Sequence, residues 1–170
     1  VIGVPMEVEK IVRSLPELVE RKTDVAEHFA LAIMTTDLVP KTFSTTVELS
    51  TGTIQITGIA KGSGMIHPNM ATMLGYILTD ASLNVAMVTR MLKQATEASF
   101  NMISVDGDTS TNDAVFLLAN GASGIGLANH SDEEKIQAAI TSVAQALAKS
   151  IARDGEGATK LVEVQVNGLD

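Results

Sequence analysis

Between Gly58 and Leu78 the chain passes from a glycine-rich loop straight into an apolar strand, and the rest of the fold has to accommodate that junction. Gly58, Gly62 and Gly64 open backbone conformations closed to other residues, and Pro68 disfavours helix at His67. The stretch before Thr72 is therefore expected to be an irregular loop. From Thr72 to Leu78 the residues are nearly all apolar apart from the first, the pattern of a strand buried on both faces.

A threonine at the head of a rigid strand, preceded by a small residue on a strained loop, suits self-cleavage. The hydroxyl attacks the preceding carbonyl, the acyl group moves from nitrogen to oxygen, and hydrolysis of the ester leaves a new N-terminal threonine. Its free α-amine, with an ordinary pKa of roughly 7.7 to 8.0, then serves as general base for its own hydroxyl. The plain alternative is a glycine-rich turn that only connects two strands.

Periodicity places the neighbouring elements. Val8, Ile11, Val12 and Leu15 fall on one face of a helix that Pro16 is expected to end, with a further helical turn through Glu20. Asp24 and Glu27 suit the N-cap and third position of a helix burying Val25, Phe29, Ala32 and Ile33. Residues 34–37 leave that helix as a polar tip. Over 41–60 the period becomes two: Phe43, Thr45, Val47 and Leu49 share a face, and Ile54 and Ile56 alternate across a Ser50-Thr51-Gly52 turn, which predicts a β-hairpin delivering Lys61 to the loop. Asn84 caps a helix carrying Val88, Met91, Leu92 and Ala95, where the methionines read as core filling. A polar loop, 106–113, precedes an apolar strand over 114–119. Ser131 and Glu134 form a capping box for a long helix with the stripe Ile136, Ile140, Val143, Leu147 and Ile151, stopped at Asp154-Gly155. Val162, Val164 and Val166 predict a last strand with one wet face. Helices mixed with largely antiparallel strands give an α+β fold, with no linker or repeat dividing residues 1–170.

Several chemistries drop out. The 170 residues are 45% hydrophobic and 19% charged, which reads as globular. A net charge of −8 with 3% aromatic residues opposes a nucleic-acid groove. With no cysteine there are no disulfides or thiolate sites. No apolar run approaches the roughly 18 residues of a membrane span and no signal segment opens the chain, so a cytoplasmic protein is expected. His28, His67 and His130 fit no catalytic or metal-ligating pattern. Asp106-x-Asp108-x-Ser110 imitates the start of a calcium loop, but Thr111 replaces the glycine and Leu117 the final glutamate. Residues 121–126 space their glycines G-x-x-G-x-G, which is not a dinucleotide fingerprint. Neither a metal nor a cofactor is expected, and Asp106, Asp108 and Asp113 read as braces for loops.

Three segments carry a resemblance: 61–80, the run Ser104-Val105-Asp106-Gly107-Asp108-Thr109-Ser110-Thr111-Asn112-Asp113, and 152–160. In the same order they resemble signature segments of the glutamate/ornithine N-acetyltransferase family of arginine biosynthesis. The likeness spans essentially the whole chain and the middle of the family's length. It implies a four-layer αββα sandwich of the N-terminal-nucleophile-like type, and cleavage between Ala71 and Thr72 into pieces 1–71 and 72–170. Thr72 is implied as nucleophile, and Thr35, Lys61, Thr72 and Glu156 as substrate-binding residues. Lys61 suits an α-carboxylate and Glu156 the cationic amine of ornithine. Without the resemblance, Lys61 reads as a solvated loop residue and Glu156 as a helix-end carboxylate beside Arg153.

The implied reaction moves the acetyl group of N-acetylornithine to glutamate through an acetyl-threonine, with acetyl-CoA left open as a second donor. Implied partners are the two pieces of the precursor, assembled as a heterotetramer. The chain opens on Val1 rather than methionine, as expected of a fragment or processed piece. Family members carry a Thr-Gly oxyanion pair ahead of that point and a further C-terminal half, so these residues alone are expected to be inactive. Two other classes stay open: an amidase or aminopeptidase with the same nucleophile, which would transfer to water, and a non-catalytic binding domain, in which Thr72 stays internal.

Overall fold

The computed structural model describes residues 3–21, 25–69 and 72–168. Helices α1 (Val8–Glu20) and α2 (Ala26–Ala32) precede a sheet of β1 (Lys41–Leu49), β2 (Gly52–Lys61), β3 (Leu74–Thr79) and β4 (Ala114–Ala119), in that spatial order. Helix α3 (Val85–Glu97) and a 3-10 turn, Phe100–Met102, separate β3 from β4, and α4 (His130–Arg153) follows. β1, β2 and β3 run antiparallel, whereas β4 lies parallel to β3, with α3 as the crossover such a pair requires. The fold is α+β. Among the described residues it has one sheet and one main helix layer; a second sheet is not among them.

Alternation decides which face the helices cover. Val47, Leu49, Ile54, Ile56, Ile77 and Leu117 point one way, and the stripe Ile136, Ile140, Val143, Leu147 and Ile151 of α4 is buried in the same core. Met91 and Ala95 join them from α3, whose Asn84 cap accepts from Met87 N–H at 3.0 Å, as the sequence predicts. Gly58 lets α4 approach the sheet. A Cβ there would stand 2.4 Å from Val143 Cγ1 and 2.7 Å from Leu147 Cδ1. Gly58→Ala therefore overpacks the core and should lower unfolding free energy by about 1–3 kcal/mol, read from the urea midpoint at unchanged slope.

The opposite sheet face is only partly covered. Ile59 is buried there, where α2 packs on β1 and β2, and Phe29 sits edge-on to Tyr76 at 5.0 Å. Tyr76 stacks on Phe116 at 5.4 Å, and Leu78, Phe116 and Leu118 are exposed. β3 is thus buried on one face rather than two, and it starts at Leu74, two residues beyond Thr72.

Other expectations are corrected. Pro16 lies inside α1, which runs on to Glu20. Proline there forfeits the bond to the Val12 carbonyl and crowds it with its ring, a cost that α1 bears on an exposed helix whose freed carbonyl can turn to solvent. The apolar stripe of α1 is exposed and packs on no other element among the described residues. Asp24 lies outside the described residues; α2 begins after Val25 with no side-chain cap and buries Ala30 instead of Phe29. The cap of α4 is Asn129, whose Oδ1 accepts from Asp132 N–H at 2.9 Å, rather than Ser131. Residues 158–168 form no strand, because among the described residues no strand lies beside them to take their backbone hydrogen bonds. Lys149 holds this segment through Glu163 at 3.2 Å, beside a groove of about 570 Å³.

Candidate active site

The loop between β2 and β3 is held almost entirely through its backbone. Asp37 Oδ1 accepts from Gly62 N–H at 2.6 Å. Ser63 O accepts from Glu156 N–H at 2.6 Å, and Ser63 Oγ bonds Thr36 Oγ1 at 2.7 Å. The two oxygens of Asp106 take Met65 N–H at 2.6 Å and Ile66 N–H at 3.1 Å. Thr72 N–H donates to Met65 O at 2.6 Å, and Met73 N–H to Asp113 Oδ1 at 2.9 Å. Met65, tied in this way, and Asn69, whose N–H donates to Asn101 Oδ1 at 3.2 Å, lie at positive φ, 56° and 71°, where non-glycine residues are uncommon.

Aspartates therefore act as braces here. Asp106 does so as the sequence suggests: burial raises its carboxyl, but the N–H groups of Met65, Asp108 and Ile66 outweigh that and hold it below the ordinary value. Asp108 contributes its N–H to Asp106 rather than its carboxylate. Asp113 differs, since burial pushes its carboxyl up, and the opposing Met73 N–H and Lys61 charge do not cancel it.

Beneath the loop lies a buried charge cluster that no sequence motif disclosed. Lys41 Nζ bonds Asp37 Oδ1 at 2.7 Å, Asp154 Oδ2 at 2.6 Å and Val39 O at 3.3 Å. Asp154 Oδ2 also accepts from Leu38 N–H at 3.0 Å. Lys41 falls in phase with Phe43, Thr45, Val47 and Leu49, so alternation puts this cation on the face that becomes buried, but it names no partner for it. The i, i+4 spacing of Asp37 and Lys41 was the available signal for one partner. A second hidden tie joins the hairpin turn to α4, where Asp132 takes Ser50 Oγ at 2.5 Å and Ser50 N–H at 2.9 Å. Ser50's hydroxyl and N–H together draw the Asp132 carboxyl below its ordinary value.

The segments bearing Thr35, Lys61, Thr72 and Glu156 all meet at this loop. Thr35 N–H bonds Asp37 Oδ2 at 3.2 Å, the carboxylate that also holds Gly62. Lys61 closes β2 opposite Leu74, the first residue of β3. Glu156 Oε2 comes so near Gly64 that a Cβ there would lie 2.7 Å from it. Yet the Thr35 hydroxyl, the Lys61 ammonium and the Glu156 carboxylate make no hydrogen bond or ion pair with any described residue. The Thr72 hydroxyl is shielded from solvent and likewise unpartnered. Ala71 lies outside the described residues. His67 contacts Ser104 Oγ at 3.4 Å and His130 pairs with Glu134 on the surface. Among the described residues no group of three His, Asp or Glu side chains stands together to hold a metal, and no helix is long and apolar enough to cross a membrane.

The loop is thus tied down through its backbone, with the segments that carry Thr35, Lys61, Thr72 and Glu156 beside it. A family model for the ArgJ family matches residues 1–170. The chain belongs to the ArgJ family. The arginine biosynthesis bifunctional protein ArgJ of Synechocystis sp. is 48% identical over 171 residues, covering 99% of this chain and 41% of the relative. That of Shouchella clausii is 49% identical over 170 residues, with the same shares of 99% and 41%. The crystal structure of the arginine biosynthesis bifunctional protein ArgJ from Bacillus halodurans aligns with a TM-score of 0.50 at 44% identity, covering 52% of this chain and 43% of that one. The chain thus spans about two fifths of the length of these ArgJ relatives.

Proposed function

We propose that this chain carries the nucleophile of a self-processing glutamate N-acetyltransferase of arginine biosynthesis. The supporting observation is the shielded, unpartnered Thr72 hydroxyl at a loop whose backbone is tied down, with the segments of Thr35, Lys61 and Glu156 beside it. In this reading Thr72 severs its bond to Ala71, and its freed α-amine takes the hydroxyl proton as the oxygen attacks the acetyl carbonyl of N-acetylornithine. Ornithine leaves with that proton, and glutamate's amine then removes the acetyl group from Thr72. Lys61 meets the α-carboxylate of either substrate, Glu156 the side-chain ammonium of ornithine, and Thr35 contributes a further polar contact. Acetyl-CoA serves as an alternative donor to the same oxygen. The pieces ending at Ala71 and starting at Thr72 stay together, two of each in the assembly, in the cytoplasm.

The test is acetyl transfer by the full-length gene product, with glutamate and water compared as acceptors. N-acetylornithine should be consumed only when glutamate is present, and consumption at the same rate without it would make the protein a hydrolase. Glu156→Gln should raise KM for N-acetylornithine about ten- to a hundredfold with a smaller change in kcat, the size expected for one charge-assisted contact.

A further inference from the structure

Asp113 is bound on one side only. Its Oδ1 accepts from Met73 N–H, whereas Oδ2 is shielded from solvent and has no partner among the described residues. Among the described residues the other shielded side-chain atom in that condition is Thr72 Oγ1, on the residue next to Met73. Roughly nine in ten buried polar groups are satisfied, so a lone donor and a lone acceptor anchored on adjacent backbone positions call for a common explanation. The backbone bond from Ala114 N–H to Met73 O, 3.3 Å, fixes Asp113 against the same strand from its other side.

Self-cleavage also lacks a base. The α-amine that serves later turnover is still an amide nitrogen before cleavage, donating to Met65 O. We propose that Asp113 Oδ2 is the proton acceptor for the Thr72 hydroxyl during self-cleavage, an inference that rests on Thr72 being the nucleophile. Thr72 Oγ bonds to the Ala71 carbonyl carbon as its proton passes to Asp113. The proton then goes to the Thr72 nitrogen as the carbon–nitrogen bond breaks, leaving an ester and a free amine, and water hydrolyses the ester to release the Ala71 carboxylate and restore the hydroxyl. Hydrogen bonds to a catalytic base are commonly loose until the reacting groups close up. Lys61 on β2 is the charge that acts on Asp113. β4 carries no ionisable group and β3 only Tyr76, engaged by Phe29 and Phe116, while Asp106 and Glu156 stand at Gly64.

The test follows cleavage of the full-length gene product by intact mass during cell-free synthesis, as a time course from about pH 8 down to about pH 4, which covers a carboxyl raised above its ordinary value. Wild type should cleave faster as pH rises through the Asp113 titration. Asp113→Asn keeps an acceptor for Met73 N–H but should cleave at least about a hundredfold more slowly and lose that pH dependence, with Asp113→Glu recovering part of the rate. If Asp113→Asn cleaves within about threefold of wild type with the same profile, Asp113 is only a brace and the inference fails while the Thr72 reading stands. A wild type that never cleaves overturns both. Should Asp113→Asn not fold, as judged by its thermal melt, the wild-type profile decides: a rate independent of pH over this range overturns the proposal.

Discussion

Thr72→Ala leaves the full-length gene product as one polypeptide and removes acetyl transfer, a loss on the order of a millionfold where a nucleophile is deleted outright. Intact mass after denaturation reads the first effect and an acetyl-transfer assay the second. A folding defect is not the cause expected. The Thr72 hydroxyl has no partner among the described residues, so its removal breaks no side-chain hydrogen bond and relieves a shielded polar atom that costs about 1–3 kcal/mol. The variant should therefore be as stable as wild type or more so. Thr72→Ser, which keeps the oxygen, should restore cleavage. A Thr72→Ala protein that still yields a chain beginning at residue 72 would end the nucleophile reading.

The largest loss of stability is expected at Lys41. Its side chain and that of Asp37 are each 1% exposed, and Asp154 5%. Lys41→Met leaves two buried carboxylates without their cation, and breaking such a cluster from one side typically costs about 3–5 kcal/mol. Urea unfolding should show that loss. Cleavage should fail along with it, because Asp37 also holds Gly62. Acid probes the same cluster. Burial raises the Asp37 carboxyl, but the Gly62 N–H and Lys41 more than offset this and leave it below its ordinary value of 3.8. A carboxyl lowered by folding gives stability that is present above its unfolded pKa and lost as pH falls through the lower native value. Wild type should lose this contribution below about pH 4, and Asp37→Asn should lack that part of the acid dependence.

Where one physical rule governed a segment, the sequence disclosed it. The hairpin, the Asn84 cap, β4 and the α4 stripe follow from periodicity and capping, and the structure has all of them. Elements whose fate depends on distant neighbours were misread. The valines at 162, 164 and 166 alternate as a strand does, but a strand also needs a neighbour to bond, and alternation says nothing about that. The apolar residues of β3 implied two buried faces, whereas among the described residues one is buried and the other is covered only in part, by Phe29 of α2 on Tyr76. Thr35, Lys61, Thr72 and Glu156 were named through family likeness, since none belongs to a motif that spacing alone could decode. What gathers them stayed hidden: Asp37, Lys41 and Asp154 come together across 117 positions of chain, and no local pattern records such a meeting.

The register of β2 and β3 has a further consequence. Six residue pairs, from Ile56 with Thr79 to Lys61 with Leu74, join strands on either side of the proposed cut. Scission at Thr72 would turn this antiparallel pair from a connection within one molecule into an interface between two, with the sheet unaltered. Native mass would rise by a single water and the shape would be kept. Unfolding would register the event, because two polypeptides would separate where one had uncoiled. The midpoint would then rise with protein concentration, and recovery would become a second-order encounter.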